Sequence, residues 1–179
     1  MRRALTVVLL SVACSDPADP CGATVDASSS GLTASVGSDV VTFGNFNSSE
    51  NNDCPAAGTT VISVTIEADQ VGPTTCTPRC TFNLCLPRPD LLNGETVSLA
   101  DADRVRVDTL AARTGDCLTV RSTRAAPTGT VTFHGFCTTA GTEWVLAIDG
   151  TVPATRTCGA GAPEDTEIDL RGEANVVGL

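Results

Sequence analysis

Apolar residues in this chain recur at every second position, and that period limits what it can fold into. Ile62, Val64, Ile66 and Ala68 alternate with Ser63, Thr65, Glu67 and Asp69. Phe82, Leu84 and Leu86 alternate with Thr81, Asn83 and Cys85, and Val105 and Val107 with Arg104, Arg106 and Asp108. Leu118 and Val120, Val131 and Phe133, the run Trp144, Leu146 and Ile148, and the pair Ile168 and Leu170 repeat the pattern. Side chains of an extended chain point to opposite faces in turn, so this period predicts half-buried strands, and the Val, Thr and Ile content agrees. Turn residues separate the runs at Asn93-Gly94, Thr114-Gly115-Asp116, Ala126-Pro127-Thr128-Gly129, Ala140-Gly141 and Asp149-Gly150. Eight or nine short strands so punctuated predict an all-β fold, an antiparallel β-sandwich of immunoglobulin-like or jelly-roll type.

Other stretches read less regularly. Val41 and Phe43 make a weak early strand inside a looser region from Asp26 to Ala57. There, Ser28 to Gly31 and Asn45 to Asp53 are polar runs that read as loops. Asp101 to Ala112 has helical propensity, but its apolar residues alternate with charges and favour a strand. Cys158 to Asp165 reads as a loop before the last strand.

Composition narrows the class further. The 179 residues hold five Phe, one Trp and no Tyr, so the core is expected to consist chiefly of Val, Ile, Leu and Ala. Every one of the 11 basic residues is Arg, and with 21 acids the formal charge is −10. A chain so acidic, with no basic cluster, lacks the footprint that phosphate neutralisation needs, which excludes nucleic acid as a partner. Nine cysteines are too many for an ordinary reduced cytosolic enzyme and point to an oxidising compartment.

The N-terminus specifies the route there. Met1-Arg2-Arg3 is a short positive region, and Ala4 to Ala13 is an apolar run interrupted only by Thr6 and Ser11. Ten helical residues reach about 15 Å, half of a roughly 30 Å hydrocarbon core, so the run reads as an export signal and not as a membrane span. The sequence that follows, Leu10-Ser11-Val12-Ala13-Cys14, resembles the lipobox of bacterial lipoproteins, although Ser11 stands where that family prefers Leu. The resemblance covers residues 1–14 and implies cleavage before Cys14, a diacylglycerol on its sulfur and a third acyl chain on its amine. An ordinary secretory cleavage after Ser11-x-Ala13 is the alternative, giving a secreted protein.

On the lipoprotein reading the chain divides into a signal peptide (1–13), a short lipid tether (14–20) and one disulfide-rich domain (21–179). The six residues between Cys14 and Cys21 include two Pro and two Asp, and the seven steps reach about 23–25 Å when extended. Ser15 follows Cys14 where an inner-membrane retention signal would have Asp, which favours the outer membrane over the inner.

Parity supports the division. With Cys14 acylated, Cys21, Cys54, Cys76, Cys80, Cys85, Cys117, Cys137 and Cys158 remain, enough for four disulfides. Their connectivity is open, since eight cysteines allow on the order of a hundred pairings. Cys117–Cys137, across a turn centred on Pro127, and Cys137–Cys158, across the ends of the Trp144 hairpin, are two candidates. Cys76, Cys80 and Cys85 lack the two-residue spacers and histidine help of a zinc site, so disulfides are the expectation there as well.

The sequence offers little chemistry beyond this. His134 is the only imidazole, lies within a strand and has no nucleophile elbow to serve, so it reads as a solvent-facing strand residue. Asp101 with Asp103, or Glu164, Asp165, Glu167 and Asp169, could supply a glycosidase-like carboxylate pair, but one Trp and no Tyr give sugars little to stack on. No catalytic residue and no cofactor is implied. Calcium is the one ion the exposed carboxylates could hold, at Asn47 to Asp53 or Asp101 to Asp103, though no Asp-x-Asp-x-Asp-Gly loop occurs.

The expectation is therefore a non-enzymatic, membrane-anchored lipoprotein with a structural or protein-interaction role at the cell envelope. A ligand-binding module for calcium or a polysaccharide, with Trp144 as stacking residue, is the alternative, and an envelope hydrolase the third. Nine Arg against 21 acids after signal removal leave −12, which favours a basic or cationic partner.

Overall fold

The computed structural model describes Cys21, residues 31–51, Cys54, residues 63–72 and residues 80–178. Cys14 with the signal and tether, Cys76, Asn52 and Asp53 lie outside the described residues. Ten strands follow one another: β1 (Gly31–Val36), β2 (Asp39–Asn51), β3 (Ser63–Val71), β4 (Thr81–Leu86), β5 (Thr96–Ser98), β6 (Arg106–Thr114), β7 (Cys117–Arg121), β8 (Thr128–His134), β9 (Glu143–Cys158) and β10 (Glu164–Gly178). Among the described residues between them, one 3₁₀ turn, Pro89–Leu91, is the only helical element.

The all-β reading holds, but the sheet closes on itself and is a barrel, not a sandwich. Antiparallel ladders join β1 to β2, β2 to β3, β3 to β4, β4 to β6, β6 to β7, β7 to β9, β9 to β10 and β10 back to β1, an eight-strand ring. The strand that closes it, β1, begins at the last residue of the Ser28 to Gly31 run expected to be loop and lies in the region read only as looser. Its Leu32, Ala34 and Val36 are buried and alternate with Thr33 and Ser35, so a period-two signal was present beside the serine run. Past the end of β1, β2 and β10 meet directly in a short parallel pairing, Val177 with Asn47 and Gly178 with Ser48. The remaining two strands, β8 and β5, continue the sheet from the first half of β9.

Length is the other departure. Asp149-Gly150 reads as a turn in the sequence, yet β9 runs straight through it. Gly150 faces Gly129 across the β8–β9 ladder. A Cβ on Gly150 would stand 2.4 Å from Leu99 Cδ1 and 2.5 Å from the Thr128 carbonyl oxygen. Glycine is needed there for close approach of chains, not for a reversal. The turn at Pro127 likewise makes no hairpin: β7 pairs with β6 and β9, and β8 with β9 and β5. The buried side of β7 carries Cys117 and Thr119, while Val120 is 38% exposed, the reverse of the face its apolar residues predict.

The core is one continuous cluster, and all six aromatic residues belong to it. Phe133, Phe136 and Trp144 pack together, with Phe136 edge-on to Trp144 at 4.8 Å between ring centroids, and Phe43 lies 6.2 Å from Phe82. A chain poor in rings has therefore placed every ring inside, where each removes the most apolar surface from water.

Three disulfides are described, and none is a pairing singled out above. Cys117 bonds Cys158, its direct partner in the β7–β9 ladder. Cys21 bonds Cys137, just past β8, across a separation of 116 residues. Cys54 bonds Cys85, whose side chain leaves β4 on the face opposite Leu84 and Leu86. Cys80 is also disulfide-bonded, to a partner outside the described residues. Strand directions place Cys117–Cys158 at one end of the barrel and Cys21–Cys137 at the other.

Polar contacts secure the Cys117 end. There β4 has not yet begun, and the Gln70 side chain spans from β3 to β6. Its Nε2 donates to the Arg113 carbonyl oxygen at 2.9 Å, and its Oε1 accepts from the Arg113 N–H at 3.0 Å. A side-chain amide thus takes the place of the missing strand's peptide group. Close by, the Arg156 guanidinium donates to the Asp39 carboxylate and to Thr114 Oγ1, tying β9, β2 and β6 together.

Two variants test this packing. Gly150→Ala should lower the unfolding free energy by about 1–3 kcal/mol, because the added methyl enters occupied space; a unchanged urea midpoint would contradict the close β8–β9 approach. Removing the cross-ladder bridge in a Cys117→Ser/Cys158→Ser double variant should cost about 2–4 kcal/mol by the same assay.

Candidate functional site

Two irregularities shape the outer surface. In β2 the register against β3 shifts between Gly44 and Asn47, with Asn45 in the left-handed region at φ 56°. The buried positions change phase there, from Val41 and Phe43 to Phe46 and Ser48. In the β4–β6 ladder Asn83 faces Thr109 while Leu84 faces Val107, so Asp108 is the extra residue of a second bulge. Bulges bend the strand that carries them and sharpen its twist.

Between these bends the sheet carries a hollow of about 440 Å³. Asn45 and Asn47 of β2, Glu67 and Asp69 of β3, Thr81 and Asn83 of β4, and Thr109 of β6 supply its polar lining. Ala111 and Val120 add apolar surface from β6 and β7. Glu67 and Asp69 are two residues apart on one strand and share its outward face, both exposed. The Asn47 amide donates to the Asn45 carbonyl oxygen at 3.2 Å, which holds the bulge and its own side chain in place. Asn83 Oδ1 is buried and accepts no hydrogen bond from the described residues. The lining therefore presents carboxylates, carbonyl-type acceptors and hydroxyls, and no cationic side chain. Such a surface receives hydrogen-bond donors and positive charge.

Apart from Asn47, which lines the hollow, the described residues singled out from sequence fall elsewhere. His134 is exposed at the end of β8. Trp144 is 0% exposed and packed against two phenylalanines, so its ring offers no face to a sugar. Asn47 to Asn51 belong to strand β2 and are not a calcium loop. Asp101 begins a tight turn, its carbonyl oxygen accepting from the N–H groups of Arg104 and Val105. Glu164, Asp165, Glu167 and Asp169 are exposed along β10, where Asp165 pairs with Arg124 and Asp169 accepts from Thr151 Oγ1. Among the described residues no group of three or more His, Cys, Asp or Glu side chains is placed to hold a metal ion. Cys80 and Cys85 are both in disulfides.

The hollow itself escaped sequence reading. Its residues come from five strands, and their only local mark is the Gly44-Asn45 step that interrupts the alternation of β2. The sequence matches no protein-family model, no curated protein and no solved structure. Function must therefore be argued from this geometry.

The bulge has a direct test. Asn45→Val should destabilise the fold by about 1–2 kcal/mol, since a β-branched side chain is poorly accommodated at positive φ. Asn45→Gly should leave stability within a few tenths of a kcal/mol. Equal losses for both in chemical denaturation would show that the side chain, and not the backbone conformation, matters.

Proposed function

We propose that this protein is an exported lipoprotein, held at the cell envelope by lipid on Cys14, whose barrel binds a basic segment of a protein partner in the acidic hollow between its two bulges. The observation that carries the binding role is the lining: two carboxylates and three amides gathered from three strands, with no cation among them. The formal charge of −10 extends the same preference over the whole chain and would steer a basic partner inward. Disulfides in the fold support an oxidising, extracytoplasmic location.

The anchor reading gains a geometric corollary. Cys21, the first residue after the tether, is bonded to Cys137, so the tether would lead from the barrel end that carries Cys137. With about 23–25 Å of extended tether, that end stays close to the bilayer, and the hollow on the barrel wall remains open to the side. The acidic surface is repelled by anionic headgroups, which keeps the domain from lying flat. Outer-membrane placement follows from Ser15 after Cys14, as the lipobox resemblance implies.

Two experiments test the two halves separately. Intact-mass measurement of the native protein should show a diacylglycerol-plus-acyl modification on Cys14 and a gain of eight hydrogens on reduction, for the eight remaining of nine cysteines. An unmodified Cys14 would overturn the anchor and leave the binding proposal standing. For the hollow, a Glu67→Gln/Asp69→Asn variant should bind an arginine-rich hexapeptide about tenfold more weakly than the parent, a change of about 1.4 kcal/mol. A Glu164→Gln/Glu167→Gln variant, which removes as much charge from β10, should bind as the parent does. Equal weakening by both pairs would reduce the hollow to general surface charge.

A further inference from the structure

Nine arginines follow the signal, and two contrasting groups stand out among the described ones. Arg88, Arg104, Arg124, Arg156 and Arg171 each have a carboxylate within ion-pair distance. Arg106 and Arg121 have none among the described residues, although acids outnumber bases nearly two to one in this chain. Both line a single cavity.

That cavity arises where β7 ends. The β6–β7 ladder covers only Ala111 to Thr114 of β6, so the earlier half of β6 has no β7 partner. The chain after Arg121 leaves β6 and runs on towards β8. The cleft left behind has a volume of about 290 Å³. Leu99, Val105, Val107 and Pro127 give it apolar walls, and all four are buried. Arg106 and Arg121 bring the charge, and Arg124 stands exposed at the rim, already paired with Asp165.

Neutral backbone groups fix the two guanidiniums in place. Arg106 Nη2 donates to the Ala102 carbonyl oxygen at 3.1 Å, and Arg121 Nη1 donates to the Asp108 carbonyl oxygen at 3.4 Å. Each contact uses one of five N–H donors. Arg106 Nη1 and Arg121 Nε are buried and meet no acceptor among the described residues. Burial most strongly disfavours the charge on Arg121; the Asp108 carboxylate, outside ion-pair range, supports it, and the field of Arg106 adds a smaller opposing effect. Two like charges partly withdrawn from water repel each other more strongly than they would in solvent, and an anion between them reverses the sign of that interaction.

We infer that the cleft between β6 and the Arg121–Pro127 segment is a binding site for a small oxyanion, a carboxylate or a phosphate, received by Arg106 and Arg121. Guanidinium groups match both anions through paired N–H donors, and hydrogen bonds to backbone oxygens hold these two in place before the ligand arrives. The apolar walls favour an anion that carries a short apolar part. The site is independent of the lipid anchor and of the acidic hollow, and its chemistry is the opposite of the hollow's.

The test uses the disulfide-intact mature protein and isothermal titration with inorganic phosphate and with butyrate, at ionic strength held constant with sodium chloride. Saturable binding of either anion above the chloride background is expected, and the tighter of the two identifies the ligand class. Arg121→Gln and Arg106→Gln should each weaken it at least tenfold, and Arg88→Gln should leave it unchanged. Ala126→Glu provides a variant that keeps both arginines: it places a carboxylate on the exposed wall of the cleft and should abolish binding while the thermal transition is retained. No binding above chloride by either anion, or binding that survives Arg106→Gln, Arg121→Gln and Ala126→Glu alike, would overturn the site.

Discussion

The structure depends on closure of its sheet through β1. An open sheet of this length would leave two rows of unpaired N–H and C=O groups and two apolar flanks to be covered by other means. A six-residue strand, Gly31–Val36, removes both problems by pairing with β2 on one side and β10 on the other. It also brings Leu32, Ala34 and Val36 into the interior. Once the ring is closed, one surface of every strand faces a common core, and the six rings of an aromatic-poor chain suffice to occupy its centre. The strands β8 and β5 extend beyond the ring from β9, where Gly129 and Gly150 let the backbones pass.

Closure has a consequence for the outer wall. A ring of eight strands cannot bend uniformly when its strands differ in length from five residues to sixteen. The bulges at Asn45 and Asp108 take up part of that bending, and the acidic hollow lies between them. Early termination of β7 produces the second concavity, the arginine-lined cleft. Both recesses thus result from local failures of the ladder, and each exposes a different charge. The disulfides complement the ladders by fixing the barrel at its two ends, where hairpins and chain termini would otherwise fray.

Much of the strand pattern was legible without coordinates. Phe82, Leu84 and Leu86, or Val131 and Phe133, alternate so regularly that only extended chain fits, and each run is a strand with those residues inside. Legibility ended where the period broke. Phe43 and Phe46 are both buried although three positions apart, because Asn45 inserts an extra residue, and from Asn45 onward the strand looks like polar loop. The alternation of Leu118 and Val120 predicts both on the inner face, whereas the strand buries Cys117 and Thr119 and turns Val120 to the hollow. Gly150 illustrates the same limit: glycine marks a turn and a close crossing alike, and only the neighbouring strand distinguishes them.

By itself the sequence determined secondary structure class, an oxidising destination and the stock of cysteines, because period-two alternation, composition and residue counts are properties of the chain alone. Tertiary structure decided the barrel over the sandwich, because closure depends on which strands become neighbours and short-range alternation carries no record of that. It decided the disulfide pairs for the same reason, joining Cys21 to Cys137 over 116 residues and matching Cys117 to Cys158 across a ladder. It also decided where charge collects. Glu67 with Asp69 and Arg106 with Arg121 are ordinary surface residues in the sequence, and they become an acidic hollow and a cationic cleft only through the bending and ending of strands elsewhere in the ring.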